Sequence, residues 1–75
     1  MEPGPILAER WPNRLLELRR KCATDPHFGE LLSDYQAARE ALDRWRAVDP
    51  ENSRRIADYD SLVREIEAEI ERGLT

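Results

Sequence analysis

Two rows of apolar residues, separated by an Asp-Pro break, restrict what this 75-residue chain can fold into more than any other feature. The first row is Phe28, Leu31, Tyr35, Ala38, Leu42 and Trp45, with steps that alternate between three and four. The second is Ile56, Tyr59, Val63, Ile66 and Ile70, with the same alternation. Such steps hold side chains on one stripe of an α-helix, the a and d positions of a heptad. If the chain folds back at residues 50–51, facing residues have numbers that sum to 101: Trp45 with Ile56, Leu42 with Tyr59, Ala38 with Val63, Tyr35 with Ile66, Leu31 with Ile70, and Phe28 with Gly73. Every a position then meets a d position. Two independent helices have no reason to keep this register, so residues 25–73 read as an antiparallel, coiled-coil-like helical hairpin.

The punctuation agrees with the rows. Asp25 is a suitable N-cap, with Pro26 at the first helical position. In "VDPENS" the cap can be Asp49, repeating that device, or Asn52 or Ser53 one turn later. Gly73 is placed as a C-terminal stop. Upstream, Leu15, Leu18 and Cys22 line one face of a shorter helix, and Leu16 broadens it. Pro12 fits the first turn of that helix. Leu7 and Trp11 lie just before it, placed to fold over its start. The expected organisation is all-α, with a mobile tail over 1–11 and one helical domain over 12–75. Its helices fall at about 12–23, 26–47 and 52–72. It forms a three-helix bundle, or a larger bundle on dimerisation.

The opening of the first arm, "DPHFGELLSDYQAA", resembles the start of the small bacterial YdcH-like hairpin proteins, over roughly residues 25–46. Those proteins show a similar Asp-Pro-His-Phe, then Leu and Tyr at these spacings, and then a second helix. The resemblance implies a short helical hairpin and no defined activity. The second arm differs: it is lysine-rich in that family, whereas "SLVREIEAEIERG" is acidic here.

Charge is unevenly distributed. Arg10, Arg14, Arg19, Arg20 and Lys21 outnumber the acids in residues 1–24, so the remaining residues carry more than the whole of the net -4. An acidic body argues against nucleic acid as the main partner. A basic first segment on an acidic body argues that the two attract, within a chain or between chains. No stretch approaches the ~18–20 apolar residues of a membrane span. The start lacks the basic-then-apolar order of a secretion signal, and the single cysteine suits a reducing compartment. The expected location is the cytoplasm.

Little in the chain points to chemistry. Cys22 and His27 are the only thiol and the only imidazole, and they read as a small core residue and an exposed first-turn residue. A zinc site wants three or four ligands, and this pair offers two. Glu65, Glu67, Glu69 and Glu71 split between helix faces and have no His three residues on, so they read as a solvated face or a dock for basic residues. No cofactor, no metal and no enzymatic activity are expected. Arg44, Arg46, Arg54 and Arg55 gather at the hairpin tip and support an alternative, a small nucleic-acid-binding regulator.

The leading expectation is a protein–protein interaction module, forming a homodimer or taking a helical partner. A chain this short cannot hide a wide apolar stripe alone. Leu32 and Leu62 fall outside the hairpin row and widen that stripe. With Trp11, Leu15 and Leu18 they are the candidate partner-binding residues.

Overall fold

A computed structural model describes residues 4–74. It contains four helices: α1 (Pro5–Arg10), α2 (Leu15–Thr24), α3 (Pro26–Val48) and α4 (Ser53–Leu74). Among the described residues there is no strand. The molecule measures 40 × 19 × 19 Å, close to the roughly 34 Å expected of a helix the length of α3 with a cap at each end.

The breaks follow from proline and its neighbours. Trp11 precedes Pro12 and takes φ -130°, ψ 64°, because the proline ring disfavours helical geometry in the residue before it. The Arg14 N–H donates to the Trp11 carbonyl at 3.1 Å, which closes a turn with Pro12 at its second position. Asp49, Pro50, Glu51 and Asn52 repeat the device: Asp49 has φ -147°, ψ 65°, and the Asn52 N–H donates to the Asp49 carbonyl at 3.0 Å. Asn52 then caps α4, its Oδ1 accepting from the Arg55 N–H at 3.2 Å. Of the cap residues open from sequence, Asn52 is the one used. Asp25 alone links α2 to α3. Its N–H donates to the Lys21 carbonyl at 2.9 Å, and its Oδ1 accepts from the backbone N–H groups of His27 and Phe28 at 3.1 and 3.3 Å.

Three boundaries differ from the sequence expectation. Residues 5–10 of the expected tail form α1, and Leu7 is wholly buried; residues 1–3 lie outside the described residues. Pro12 does not open a helix: it terminates α1, and α2 begins three residues later. Gly73 is not a left-handed stop, since no glycine among the described residues has positive φ, and α4 continues to Leu74.

Antiparallel pairing of α3 and α4 is visible in contacts along their whole length. Phe28 lies against Gly73 at one end. Tyr35 reaches Glu67 further along, and Arg55 stacks over Trp45 at the other end, 4.3 Å from the ring centroid. The numbers in these pairs sum to within one of 101. Phe28, Tyr35, Ala38, Leu42, Val63, Ile66 and Ile70 are buried, whereas Leu31, Trp45, Ile56 and Tyr59 are only partly covered. The helices α1 and α2 explain part of this gradient. They lie against the half of the hairpin remote from its tip: Cys22 abuts Gly29, Gly4 abuts Gln36 and Trp11 stacks on Tyr35. Leu32, outside the strict row, is buried in the same cluster as Leu7, Trp11 and Leu18.

Gly73 shows why a small residue is needed at that end. A Cβ there would stand 2.8 Å from Cε1 of the buried Phe28 ring, closer than non-bonded carbons pack. Gly73→Val should therefore lower stability by about 1–3 kcal/mol, read as the shift of the urea midpoint at constant slope. A midpoint at or above that of the parent chain would show that the ring is free to move aside.

Candidate interaction surface

The hairpin has two long faces, one on each side of its apolar rows. Residues seven apart in a helix return to the same face, so each face can be read as columns. One face carries Leu32, Arg39 and Arg46 on α3, with Asp60, Glu67 and Leu74 on α4. The opposite face carries Asp34, Ala41 and Val48 on α3, with Arg55, Leu62 and Glu69 on α4.

The first face is closed by α1 and α2. Arg10 places Nε 3.2 Å from Glu67 Oε2 and Nη2 2.9 Å from Glu71 Oε1. Trp11 donates its indole N–H to Glu71 Oε1 at 3.3 Å, and Arg14 donates to the Leu74 carbonyl at 3.1 Å. Glu67 also accepts from the Tyr35 hydroxyl at 2.6 Å. Arg10 lies 5.0 Å over the Trp11 ring, and Trp11 packs on Tyr35 with ring centroids 5.3 Å apart. The expected attraction between a basic first segment and an acidic body is thus made within the chain, with Glu67 and Glu71 as the dock.

Magnitudes decide which of these contacts matters most. The Arg10 side chain keeps 38% of its exposure, and ion pairs so placed contribute about 0–1 kcal/mol. Trp11 keeps 5%, and burying a side chain of that size contributes about 2–3 kcal/mol or more. Six residues do not make a stable helix alone, so α1 depends chiefly on Leu7 and Trp11.

Towards the tip the same face is a polar groove lined by Arg39, Leu42, Arg46, Asp60, Val63, Arg64 and Glu67. Asp60 pairs with Arg64 at 3.0 Å and with Arg46 at 3.6 Å, and Arg39 lies 3.9 Å from Glu9. Two of the four tip arginines therefore have uses inside the chain, Arg46 on Asp60 and Arg55 on Trp45.

The second face is open. Asp34, Ala37, Ala38, Ala41, Tyr59, Leu62 and Ile66 line a shallow apolar groove between α3 and α4. Leu62 is 42% exposed, and Val48, in line with Ala41, is 69% exposed. Leu16 on the outer face of α2 is also exposed, beside Arg19, Arg20 and Ala23; it does not broaden the packed face.

These positions revise the candidate list. Trp11, Leu18 and Leu32 are buried within the chain and Leu15 packs against the same core, so none of the four offers a surface as the chain is folded here. The cause is α1, which sequence spacing concealed: it brings Leu7 and Trp11 onto α3. Leu62 alone stands at the open groove. Ala37, Ala41 and Val48 were missed, although the seven-residue spacing of Asp34, Ala41 and Val48 is legible. Cys22 is half-buried against Gly29 and forms no disulfide, and His27 is exposed. Among the described residues no group of three His, Cys, Asp or Glu could hold a metal ion, and no helix is long and apolar enough to cross a membrane. Comparison of the chain with protein-family models, curated proteins and solved structures gave no match.

Tyr35 reports on the closed face. Burial first, and then its hydrogen bond to Glu67, push its hydroxyl from 10.0 up to about 12. A raised folded-state value means that the neutral phenol favours the fold. That stability is complete below the unfolded value near 10 and is lost as pH rises through about 12. In a Tyr59→Phe background, which leaves Tyr35 as the one tyrosine, absorbance at 295 nm should titrate near 12 together with loss of helical ellipticity. Titration near 10 with the helix intact would contradict the burial of this hydroxyl.

Trp11→Ala should cost about 3–5 kcal/mol and speed amide exchange through α1. Arg10→Ala should cost less than about 1 kcal/mol. Equal losses would place the latch in the ion pairs instead.

Proposed function

We propose that this chain is a non-enzymatic helical protein–protein interaction module that works through the open face of its hairpin. The observation that carries this reading is an asymmetry. The chain supplies two extra helices and uses both on one face, leaving an apolar groove with Leu62 and Val48 exposed along the other. Large side chains on a groove rimmed by charge are the usual form of a docking surface for a helix. The resemblance of residues 25–46 to YdcH-like hairpins bears on the hairpin fold and implies no defined activity. The groove is shallow and open, which gives a substrate no enclosed site. The nucleic-acid reading is weakened, since Arg46 is paired with Asp60 within the chain and the chain as a whole is acidic.

Leu62→Asp tests the proposal, because this side chain contributes little to the core. Its urea midpoint should stay within about 0.5 kcal/mol of the parent chain. Association, followed by light scattering across a dilution series, should be lost. A variant that unfolds, or that assembles as the parent does, would remove the open face from consideration.

A further inference from the structure

We infer that the open face binds a second copy of this chain, tip to base, giving an antiparallel two-fold dimer. This rests on the interaction reading above and names its partner. The order of charges along the groove selects this partner. On α3, Glu30, Ala37 and Arg44 form one column and Asp34, Ala41 and Val48 its neighbour. On α4 the facing column is Arg55, Leu62 and Glu69. From the base of the hairpin to its tip these three columns run acidic (Glu30, Asp34, Glu69), apolar (Ala37, Ala41, Leu62) and then basic beside an apolar end (Arg44, Arg55, Val48); the outer column of α4, Asp58, Glu65 and Arg72, lies at the edge and does not follow this order. These charges are available: Glu30, Asp34, Arg44 and Glu69 make no ion pair within the described chain, whereas on the closed face Arg10, Glu67, Arg46, Asp60 and Arg64 all do.

An acidic–apolar–basic strip is complementary to itself when reversed. Two hairpins packed face to face about an axis across their helices set α3 against α3 and α4 against α4, each pair antiparallel. With Leu62 on the axis, Arg55 meets the Glu69 of the other copy. The 101 register within the hairpin then fixes α3 without further choice: Ala37 meets Ala41, and Asp34 meets Arg44. Both apolar and both ionic pairings come into line at one position of the axis. The alanines let α3 approach its copy closely, while the two Leu62 side chains fill the α4 side. Two pairings oppose this arrangement: Asp58 near Glu65 on the outer edge of α4, where solvent weakens the repulsion, and Glu30 opposite Val48 at the ends of α3. The parallel alternative, tip against tip, sets Asp34 among Glu65 and Glu69 and Arg44 beside Arg55. Its favourable contacts, Arg44 with Asp58 and Glu30 with Arg72, lie at the edge. The face is about 34 Å long and no wider than the 19 Å of the molecule, which places a full-length contact at the smaller end of standard interfaces of roughly 800 Å² per partner.

The test is the dimer dissociation constant, by sedimentation equilibrium at low salt, for the parent chain, Leu62→Asp, Glu69→Arg, Arg55→Glu and the Arg55→Glu/Glu69→Arg double variant. Each reversal replaces two attractive pairs by two repulsive ones. Each single variant should therefore weaken the dimer roughly tenfold, and the double variant should return it towards the parent value. Arg55→Glu also loses the stacking on Trp45, so Glu69→Arg is the cleaner arm, and circular dichroism checks that every variant folds. Single reversals that tighten the dimer would overturn the antiparallel arrangement, since the parallel one sets these groups against like charges. A parent chain that is monomeric at all concentrations overturns the homodimer and leaves the open face to a foreign helix. A dimer indifferent to Leu62→Asp overturns the open face itself, and with it the interaction reading.

Discussion

The Tyr35 hydroxyl is the constraint on which the rest of the arrangement turns. Tyr35 is wholly buried between α3, α4 and Trp11, and a buried hydroxyl without a partner costs about 1–3 kcal/mol. Glu67 satisfies it at 2.6 Å, and that one bond has three consequences. It fixes the register of α4 on α3. It draws a carboxylate into the flank of the hairpin, where Arg10 pairs with it. It also helps to settle which flank α1 and α2 cover, because Trp11 packs on the ring whose hydroxyl Glu67 holds. Apolar rows alone would permit a slide of one heptad; the Tyr35–Glu67 bond and the Phe28–Gly73 contact do not.

Closing one flank leaves the other bare, and the two differ in how their charges are used. On the closed flank cations and carboxylates are matched within the chain, largely at exposed or half-exposed positions, where each pair adds little stability. They set the orientation in which α1 and α2 dock, and the burial of Leu7, Trp11 and Leu18 supplies the driving force. On the bare flank the charges are sorted along the groove by sign. Sorting of this kind does little for a monomer. It governs how a second helical surface lines up, through attraction in one orientation and repulsion in the other.

Much of this architecture was legible in the chain. Hairpin, register, Asp25-Pro26 start and the approach of Phe28 to Gly73 all followed from spacing and cap chemistry, because they depend on residues that are close in sequence or related by one fold-back. Of the two readings open for Glu65, Glu67, Glu69 and Glu71, a solvated face or a dock for basic residues, Glu67 and Glu71 serve as a dock for Arg10, while Lys21 turns to Asp25. The candidate surface was far less legible. Trp11, Leu15, Leu18 and Leu32 looked spare because the hairpin row did not need them. They are used by α1 and α2, which is a long-range event with no periodic signature in six residues.

What the sequence determined by itself was local: the proline, aspartate and asparagine chemistry of the breaks at Asp25-Pro26 and at residues 49–52, and two apolar rows whose three-four steps match antiparallel about a fold-back at 50–51. Only the tertiary structure decided that Pro5–Arg10 is helical, that Gly73 serves close packing in place of a left-handed turn, and which flank stays open. The physical reason is common to all three. Spacing says which residues share a face, but the environment of that face depends on what folds onto it from elsewhere in the chain. Here that was decided by one buried indole, one buried hydroxyl and the carboxylates that pair with them.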